Sequence, residues 1–421
     1  MARLFYGLFG YFLIPIIIGR LFFRGFKAPD YWRRWSERFG FFKSLSSHKR
    51  IWIHAVSFGE VQASVPLIKA LQHKYPSYDF LITTMTPTGA QRAKELFGET
   101  ITHLYLPYDL WHAVFLFLDK TKPSIGIIIE TELWFNLFQA CKKRHIPLFL
   151  VNARLSDKSF QKYQKFIPNL TKQTLQCLTH IAAQTIDDSE RLKKLGADNI
   201  TITGSLKFDV EISTSIFEKA EELKRNFGDR KIWIAASTHE GEENILLNVH
   251  RQIQRKIPNA LLILVPRHPE RFNQIFQLCE QREFKTSRRS LSQKISEKTD
   301  IYLGDTMGEL LMLYAAADVA FVGGSLICRG GHNLLEPAAV GKPILTGQFM
   351  FNFSEITKRL LEIKAAEQIF NEQQLVERLL FLLENPKSRE EMGEKGKAFV
   401  EQNRGALERV LHLIEKGQEI L

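Results

Sequence analysis

From residue 50 onward the chain alternates short apolar runs with longer stretches that mix charged and apolar positions. In the first half the runs fall at 51–56, 80–84, 101–106, 125–129, 148–151 and 181–183. A second series falls at 232–236, 261–265, 301–303, 319–322 and 344–345. Strands that are apolar at every position, not at every second one, are buried on both faces. That pattern predicts parallel sheets covered by helices on each side. The reading is an α/β protein of two facing, doubly wound, Rossmann-like domains. They cover 25–205 and 230–400, joined by a linker at 206–229 and followed by a C-terminal helix over 401–421.

The N-terminus breaks the alternation. Residues 4–19 carry no charge and are mostly Leu, Ile, Phe and Tyr. As one helix they would span about 24 Å, short of the roughly 30 Å hydrocarbon core of a bilayer. If Arg20 snorkels, the segment extends to Phe23 and reaches about 30 Å. The expectation is a membrane anchor over 1–24 that either crosses once or dips in with a bend at Pro15. A buried helix of the first domain is the alternative. The flank after it is rich in Arg and Lys, which places the rest of the chain in the cytoplasm.

The polar residues worth attention follow the apolar runs, where open α/β sheets bind ligands. Ser57-Phe58-Gly59-Glu60 follows the first run, Glu130-Thr131-Glu132 the fourth and Asn152-Ala153-Arg154 the fifth. In the second half come Ser237-Thr238-His239-Glu240-Gly241-Glu242, Pro266-Arg267-His268-Pro269 and Gly304-Asp305-Thr306-Met307-Gly308-Glu309. An acid at a helix start is stabilised as the anion, so Glu60 reads as a cap as readily as a base. Two carboxylates closing an apolar strand need cationic or hydroxyl partners. Arg267 suits a two-point contact with phosphate.

One turn stands out. Gly323-Gly324-Ser325 follows the run 319–322, and Gly330-Gly331-His332-Asn333-Leu334-Leu335-Glu336 leads into a predicted helix over 333–339. A strand, a glycine turn and a helix start together would offer free N–H groups to a phosphate, with Glu336 placed for a ribose diol.

Charge and cysteine usage narrow the class. Residues 1–50 hold ten Lys/Arg against Asp30 and Glu37, a net +8 of the chain's +11. Basic residues beside an apolar segment favour an anionic membrane surface over nucleic acid. Cys141, Cys177, Cys279 and Cys328 have neither C-x-x-C nor metal-type spacing, which fits a reduced cytosolic setting with no metal. No Asp-x-Asp pair lies near the glycine turn.

These residues together resemble the Kdo (3-deoxy-D-manno-octulosonic acid) transferases. The likeness runs through Arg24-Gly25-x-Lys27-Ala28-Pro29, Arg34-Trp35-x-Glu37-Arg38, Ser57-x-Gly59-Glu60, the 83–89 segment and Pro107-Tyr108-Asp109. It continues in Glu130-Thr131-Glu132-Leu133-Trp134, Asn152-Ala153-Arg154-Leu155-Ser156, Gly204-Ser205-Leu206-Lys207-Phe208-Asp209 and the second-half motifs above. One departure is Phe135, where the family commonly carries proline. The resemblance implies the GT-B fold and inverting transfer of Kdo from CMP-Kdo to lipid IVA, without metal or cofactor. It implies a site at the cytoplasmic face of a Gram-negative inner membrane, where Lys27, Arg33, Arg34 and Arg38 are expected to meet either the acceptor's phosphates or the anionic leaflet. It makes Glu60 the general base, with Glu130 and Lys207 stabilising the transition state. It assigns CMP to Arg267, His268, Met307, Gly308, Glu309, Asn333, Leu334, Leu335 and Glu336. Competing readings are a GT-B enzyme using a UDP-sugar, a related sugar-nucleotide epimerase, and a non-catalytic membrane-attached nucleotide-binding protein.

Overall fold

Strand β1 (Arg50–His54) is buried at every position and starts the first sheet. In the computed structural model it is followed by β2 (Asp79–Thr84), β3 (Thr102–Tyr105), β4 (Ile125–Ile129), β5 (Leu148–Ala153), β6 (His180–Ala183) and β7 (Ile200–Ile202). Residues 2–46, 48–210, 212–291 and 295–419 are described, apart from the side chains of 2–5, 27, 418 and 419. Lys27 of the expected basic patch therefore lies outside the described side chains.

The seven strands run in the order β3-β2-β1-β4-β5-β6-β7, all parallel. Ile53 pairs with Ile82 on one side and Ile127 on the other. Apolar clusters cover both faces of the sheet, which is why its central strands are apolar throughout. Gly126 in β4 is needed for packing, since a Cβ there would lie 2.9 Å from the Trp52 ring.

The second sheet holds β8 (Ile232–Thr238), β9 (Leu261–Pro266), β10 (Thr286–Arg288), β11 (Ile301–Leu303), β12 (Val319–Val322), β13 (Ile344–Thr346) and β14 (Ala366–Gln368). Its order is β10-β11-β9-β8-β12-β13-β14, again parallel. In each sheet the first strand lies inside the sheet, with later strands added on either side of it. The order reverses between β1 and β4, and between β8 and β12. Loops leaving the carboxyl ends at such a reversal diverge and leave room for a ligand.

The chain divides into two units. The first comprises residues up to Asp209 together with those from Arg404 onward; the second is Val210–Asn403. Residues 206–229, expected as a linker, are largely structured. The turn Leu206–Phe208 belongs to the first unit, and the helix Thr214–Phe227 to the second. The C-terminal helix Ala406–Glu419 returns to the first unit, burying Ala406, Val410 and Ile414 in its core. Asp209 fixes its start by accepting from the N–H groups of Gly405 and Leu407, each at 2.7 Å.

The N-terminal apolar segment forms two helices, Ala2–Phe12 and Ile14–Lys27, bent by 52°. The break is at Leu13, and Pro15 sits in the first turn of the second helix, where its missing N–H costs nothing. Among the described residues no single helix is long and apolar enough to cross a membrane; the bent pair is, taken together. One face of the first helix packs on the first unit. Tyr6 meets Phe135 edge to face at 4.9 Å, and the Tyr11 hydroxyl lies 2.9 Å from His112 Nδ1. Phe9, Phe12, Ile16, Phe22, Phe23 and Phe26 are exposed.

The expected basic patch is thinner than the sequence suggests. Arg38 is 1% exposed, with its guanidinium 4.0 Å over the Tyr105 ring and a bond to the Met85 carbonyl. Arg34 forks onto Glu37 at 2.6 and 2.8 Å. Arg33 remains at the surface, 79% exposed.

Candidate active site

In the first unit the candidate residues gather at the carboxyl ends of β1 and β4. β1 gives way to the helix Phe58–Lys74, whose first turn carries Glu60. Its Oε2 accepts from the Val56 N–H at 2.6 Å, and its Oε1 accepts from the Ser57 hydroxyl at 3.1 Å. This is cap-like geometry, as the local pattern allows. The electrostatics go further. Burial pushes the Glu60 carboxyl up to about 8, helped by the charges of Glu130 and Glu132, while the bonds from Val56 and Ser57 oppose the rise. A cap is stabilised as an anion; Glu60 is poised to change its protonation near neutrality.

Glu130 follows β4 in a left-handed conformation at φ 59°, which a residue with a Cβ adopts only under constraint. Its Oε1 lies 3.3 Å from Lys207 Nζ, both side chains being about one-third exposed, at 28% and 34%. Lys207 reaches it because of Asn152, the residue at the bulge of β5, also left-handed at φ 58°. The Asn152 Oδ1 accepts from the Leu206 N–H at 3.1 Å and so fixes the Leu206–Phe208 turn. Burial raises Glu132 as well, and Glu130 adds to it. The first unit thus brings Glu60, Glu130 and Lys207 together, as anticipated.

In the second unit the glycine turn differs from expectation. Three of the N–H groups expected to be free for a phosphate are already taken. Glu242, fully buried at the start of the helix Glu242–Gln254, accepts from Gly324 at 2.6 Å, Ser325 at 3.0 Å and Leu326 at 2.9 Å. It also accepts from the His239 N–H at 3.0 Å. Burial raises this carboxyl, but four converging N–H donors favour the anion. The helix that follows is the single turn Leu335–Ala339, too short to present a dipole end, and Asn333 Oδ1 accepts from the Leu335 N–H. Leu334 and Leu335 are 0% exposed, so their side chains belong to the core. Asn333 Nδ2 donates to Glu336 at 3.3 Å.

Met307, Gly308 and Glu309 follow β11, next to β9 in the sheet. Met307 is 66% exposed and Gly308 has φ +81°. The Glu309 carboxylate forks onto Arg289 at 2.7 and 2.9 Å, and Arg289 holds it below the usual carboxylate range. Arg267 and His268 leave β9. With them lie His239, His332 and Arg329, to which the sequence reading gave no role. The run Ser237-Thr238-His239 was visible as a polar strand end; its meeting with His332 was not.

Comparison with known proteins fixes the class. Residues 33–210 match the family described as 3-deoxy-D-manno-octulosonic-acid transferase (kdotransferase), and residues 229–399 match glycosyl transferases group 1. A Haemophilus influenzae 3-deoxy-D-manno-octulosonic acid transferase is 41% identical over 421 residues, covering 99% of this chain and 98% of its own. The chain belongs to the Kdo transferase family. It is a glycosyltransferase of lipopolysaccharide synthesis. The Acinetobacter baumannii protein MurG shares the fold at 14% identity and TM-score 0.53, over 87% of this chain and 99% of its own. A UDP-GlcNAc 2-epimerase from Neisseria meningitidis does so at 16% identity and TM-score 0.53, over 87% of this chain and 100% of its own. At those identities the likeness is one of fold, the GT-B fold of this Kdo transferase.

Proposed function

We propose that this Kdo transferase takes Kdo from CMP-Kdo and places it on the lipid A precursor lipid IVA, with Glu60 as general base. The observation that carries the reading is the state of Glu60, raised to about 8 beside the Glu130–Lys207 pair. A sugar hydroxyl is a weak nucleophile, and its proton must leave as the new bond forms. A carboxylate whose affinity for a proton has been increased is a stronger base for that step. The donor's C–O bond breaks with its electron pair going to the phosphate. Arg267 supplies positive potential suited to that charge. A nucleoside monophosphate develops less charge than a diphosphate, so protein cations suit it. The remaining donor contacts fall to His268, Met307, Gly308, Glu309, Asn333 and Glu336, and to the backbone at Leu334, while Leu335 only packs beneath them. Lys207 and Glu130 fix the local charge around the base.

The exposed row of Phe9, Phe12, Ile16, Phe22, Phe23 and Phe26 supports attachment to the inner membrane of a Gram-negative bacterium, on its cytoplasmic face. Phe12 and Phe23 are 80% and 72% exposed, so replacing both by Asp leaves the packed face of the helices intact. The doubly substituted protein should leave the membrane pellet for the supernatant; continued pelleting would remove this row as the anchor.

The function is tested by incubating the protein with CMP-Kdo and lipid IVA, then following CMP release and the mass of the lipid. A mass increase by Kdo units is the expected result. Transfer from a UDP-sugar in place of CMP-Kdo would overturn the donor assignment.

A further inference from the structure

His239 leaves β8 and His332 follows Gly331, and their Nε2 atoms lie 2.8 Å apart. The two rings are inclined by only 4° with centroids 5.1 Å apart. Ring centres so far apart, with nitrogens so close, mean that the rings meet edge to edge and not face to face. The arrangement is an in-line hydrogen bond between two imidazoles. Gly324 passes beside it at φ +67°, and a Cβ there would lie 3.0 Å from His332 Cδ2 and 3.3 Å from His239 Cδ2. Glycine is required at this position by conformation and by space together.

One proton sits between the two Nε2 atoms. In the neutral pair one ring is the donor and keeps a bare Nδ1, while the acceptor ring carries its proton on Nδ1. One added proton makes both Nδ1 atoms donors. The groups facing the pair are mostly cationic: Arg267, Arg271 and Arg329, with the His268 ring edge-on to His239 at 5.2 Å. The acids nearby are occupied. Glu242 is spent on four N–H groups, Glu243 forks onto Arg271, and Glu270 lies beside His268 at 3.8 Å. Burial, then His268 and the arginines, push His239 down to about 4; burial, then Arg267 and the other two histidines, push His332 down to about 3. An anion placed among these cations offsets their field and restores proton affinity to the imidazoles.

We propose that the His239–His332 pair takes up one proton from solvent when a nucleotide phosphate binds beside Arg267 and His268, becoming a shared imidazole–imidazolium that holds the phosphate. The proposal rests on the reading of the second unit as the CMP-Kdo site. As the bond from Kdo to phosphate breaks, the phosphate keeps the electron pair and gains one negative charge. The added proton stays on the histidine pair, which meets that charge with a hydrogen bond. His239 and His332 are therefore positioning residues for the leaving group.

The test is titration calorimetry of the full chain with CMP at about pH 7 in two buffers of different ionisation enthalpy, corrected for the protonation of free CMP. Wild type should take up between about half and one proton per CMP bound, and CMP affinity should fall by up to about tenfold per unit as pH rises. His332→Gln should lose most of that uptake and flatten the pH dependence while still binding CMP. His239→Gln, lacking the other ring, should behave alike and keeps the test open if one variant fails to fold. His268→Gln should retain the uptake. Zero uptake in wild type, or full uptake in both pair variants, overturns the proposal. If UDP binds with the same His332-dependent uptake and CMP does not, the pair stands and the CMP reading falls. Binding of neither nucleotide overturns both.

Discussion

Glu60 and Glu242 occupy the same topological place in two different units. Each stands in the first turn of the helix that follows the first, central strand of its sheet. Each accepts backbone N–H groups from the loop it helps to form. Glu242 takes four of them, is 0% exposed, and ties the loop after β8 to the turn after β12. Glu60 takes one N–H and one hydroxyl and stays partly open; burial, helped by two nearby carboxylates, raises it to about 8. One position thus yields a structural clamp in one unit and a titrating group in the other. The number of donors decides which. At Glu242 four N–H donors favour the anion against the burial that raises it, whereas Glu60, with two donors and like charges nearby, is raised to about 8.

The largest separation between the two should come from Glu60→Gln. The amide keeps an acceptor for the loop but cannot take a proton. We expect kcat to fall by roughly 10²–10⁴-fold with CMP affinity unchanged. Stability should respond with the opposite sign. The folded pKa of Glu60 lies above its unfolded value, so its contribution is full below the unfolded carboxylate range and is lost as pH rises through about 8. The neutral Gln avoids that loss, and the variant should melt no lower than wild type at pH about 9. A variant that loses fold and activity in parallel would return Glu60 to the role of a cap.

Glu242→Gln should show the converse. Its amide turns N–H donors toward backbone N–H donors inside a fully buried site. We expect a loss of about 3 kcal/mol, read as a lowered urea midpoint. Activity per folded molecule should fall far less than in Glu60→Gln. A stable Glu242→Gln protein would mean that the glycine turn can reorganise, and the distinction between clamp and base would be lost.

Arg267→Ala sharpens the contrast at a smaller scale. The residue leaves β9 and bears on the histidine pair, so its removal should weaken CMP binding by about ten- to a hundredfold, measured by calorimetry. An unchanged affinity would separate Arg267 from the nucleotide.

How much of this could be read from the sequence follows from burial. Central strands such as β4 and β12 touch neighbours on both sides and helices on both faces, so every position is apolar and the run announces itself. The three strands that escaped notice are β7, β10 and β14, each of three residues and each at a sheet edge. An edge strand pairs with one neighbour only, and a segment such as Thr286–Arg288 buries just its middle residue. The meeting of Glu60 and Glu130 was legible because polar residues ending apolar strands meet at one rim of a parallel sheet, whereas Lys207 was reached only through the family resemblance. The filling of the glycine turn was not. Nothing local to Glu242 shows that it will capture the N–H of a residue 82 positions later. The meeting of His239 and His332 is separated by 93 positions and was hidden for the same reason.

The finest test asks whether the proton affinity of Glu60 is set by its neighbours in the sense described. If deprotonated Glu60 is the base, kcat/KM of the wild type should rise with pH through about 8 and then level off. The Ser57 hydroxyl holds that value down by donating to Glu60 Oε1, and Glu132 holds it up as a like charge. Ser57→Ala should therefore move the acid limb to higher pH, and Glu132→Gln should move it to lower pH, each by a fraction of a unit. Neither substitution touches a backbone N–H of the loop, so the plateau rate should change by about threefold at most. Shifts of opposite sign at nearly constant plateau can arise only if the titrating group feels both side chains, and Glu60 lies within reach of both. Shifts of the same sign, or none, would place the titration on another group.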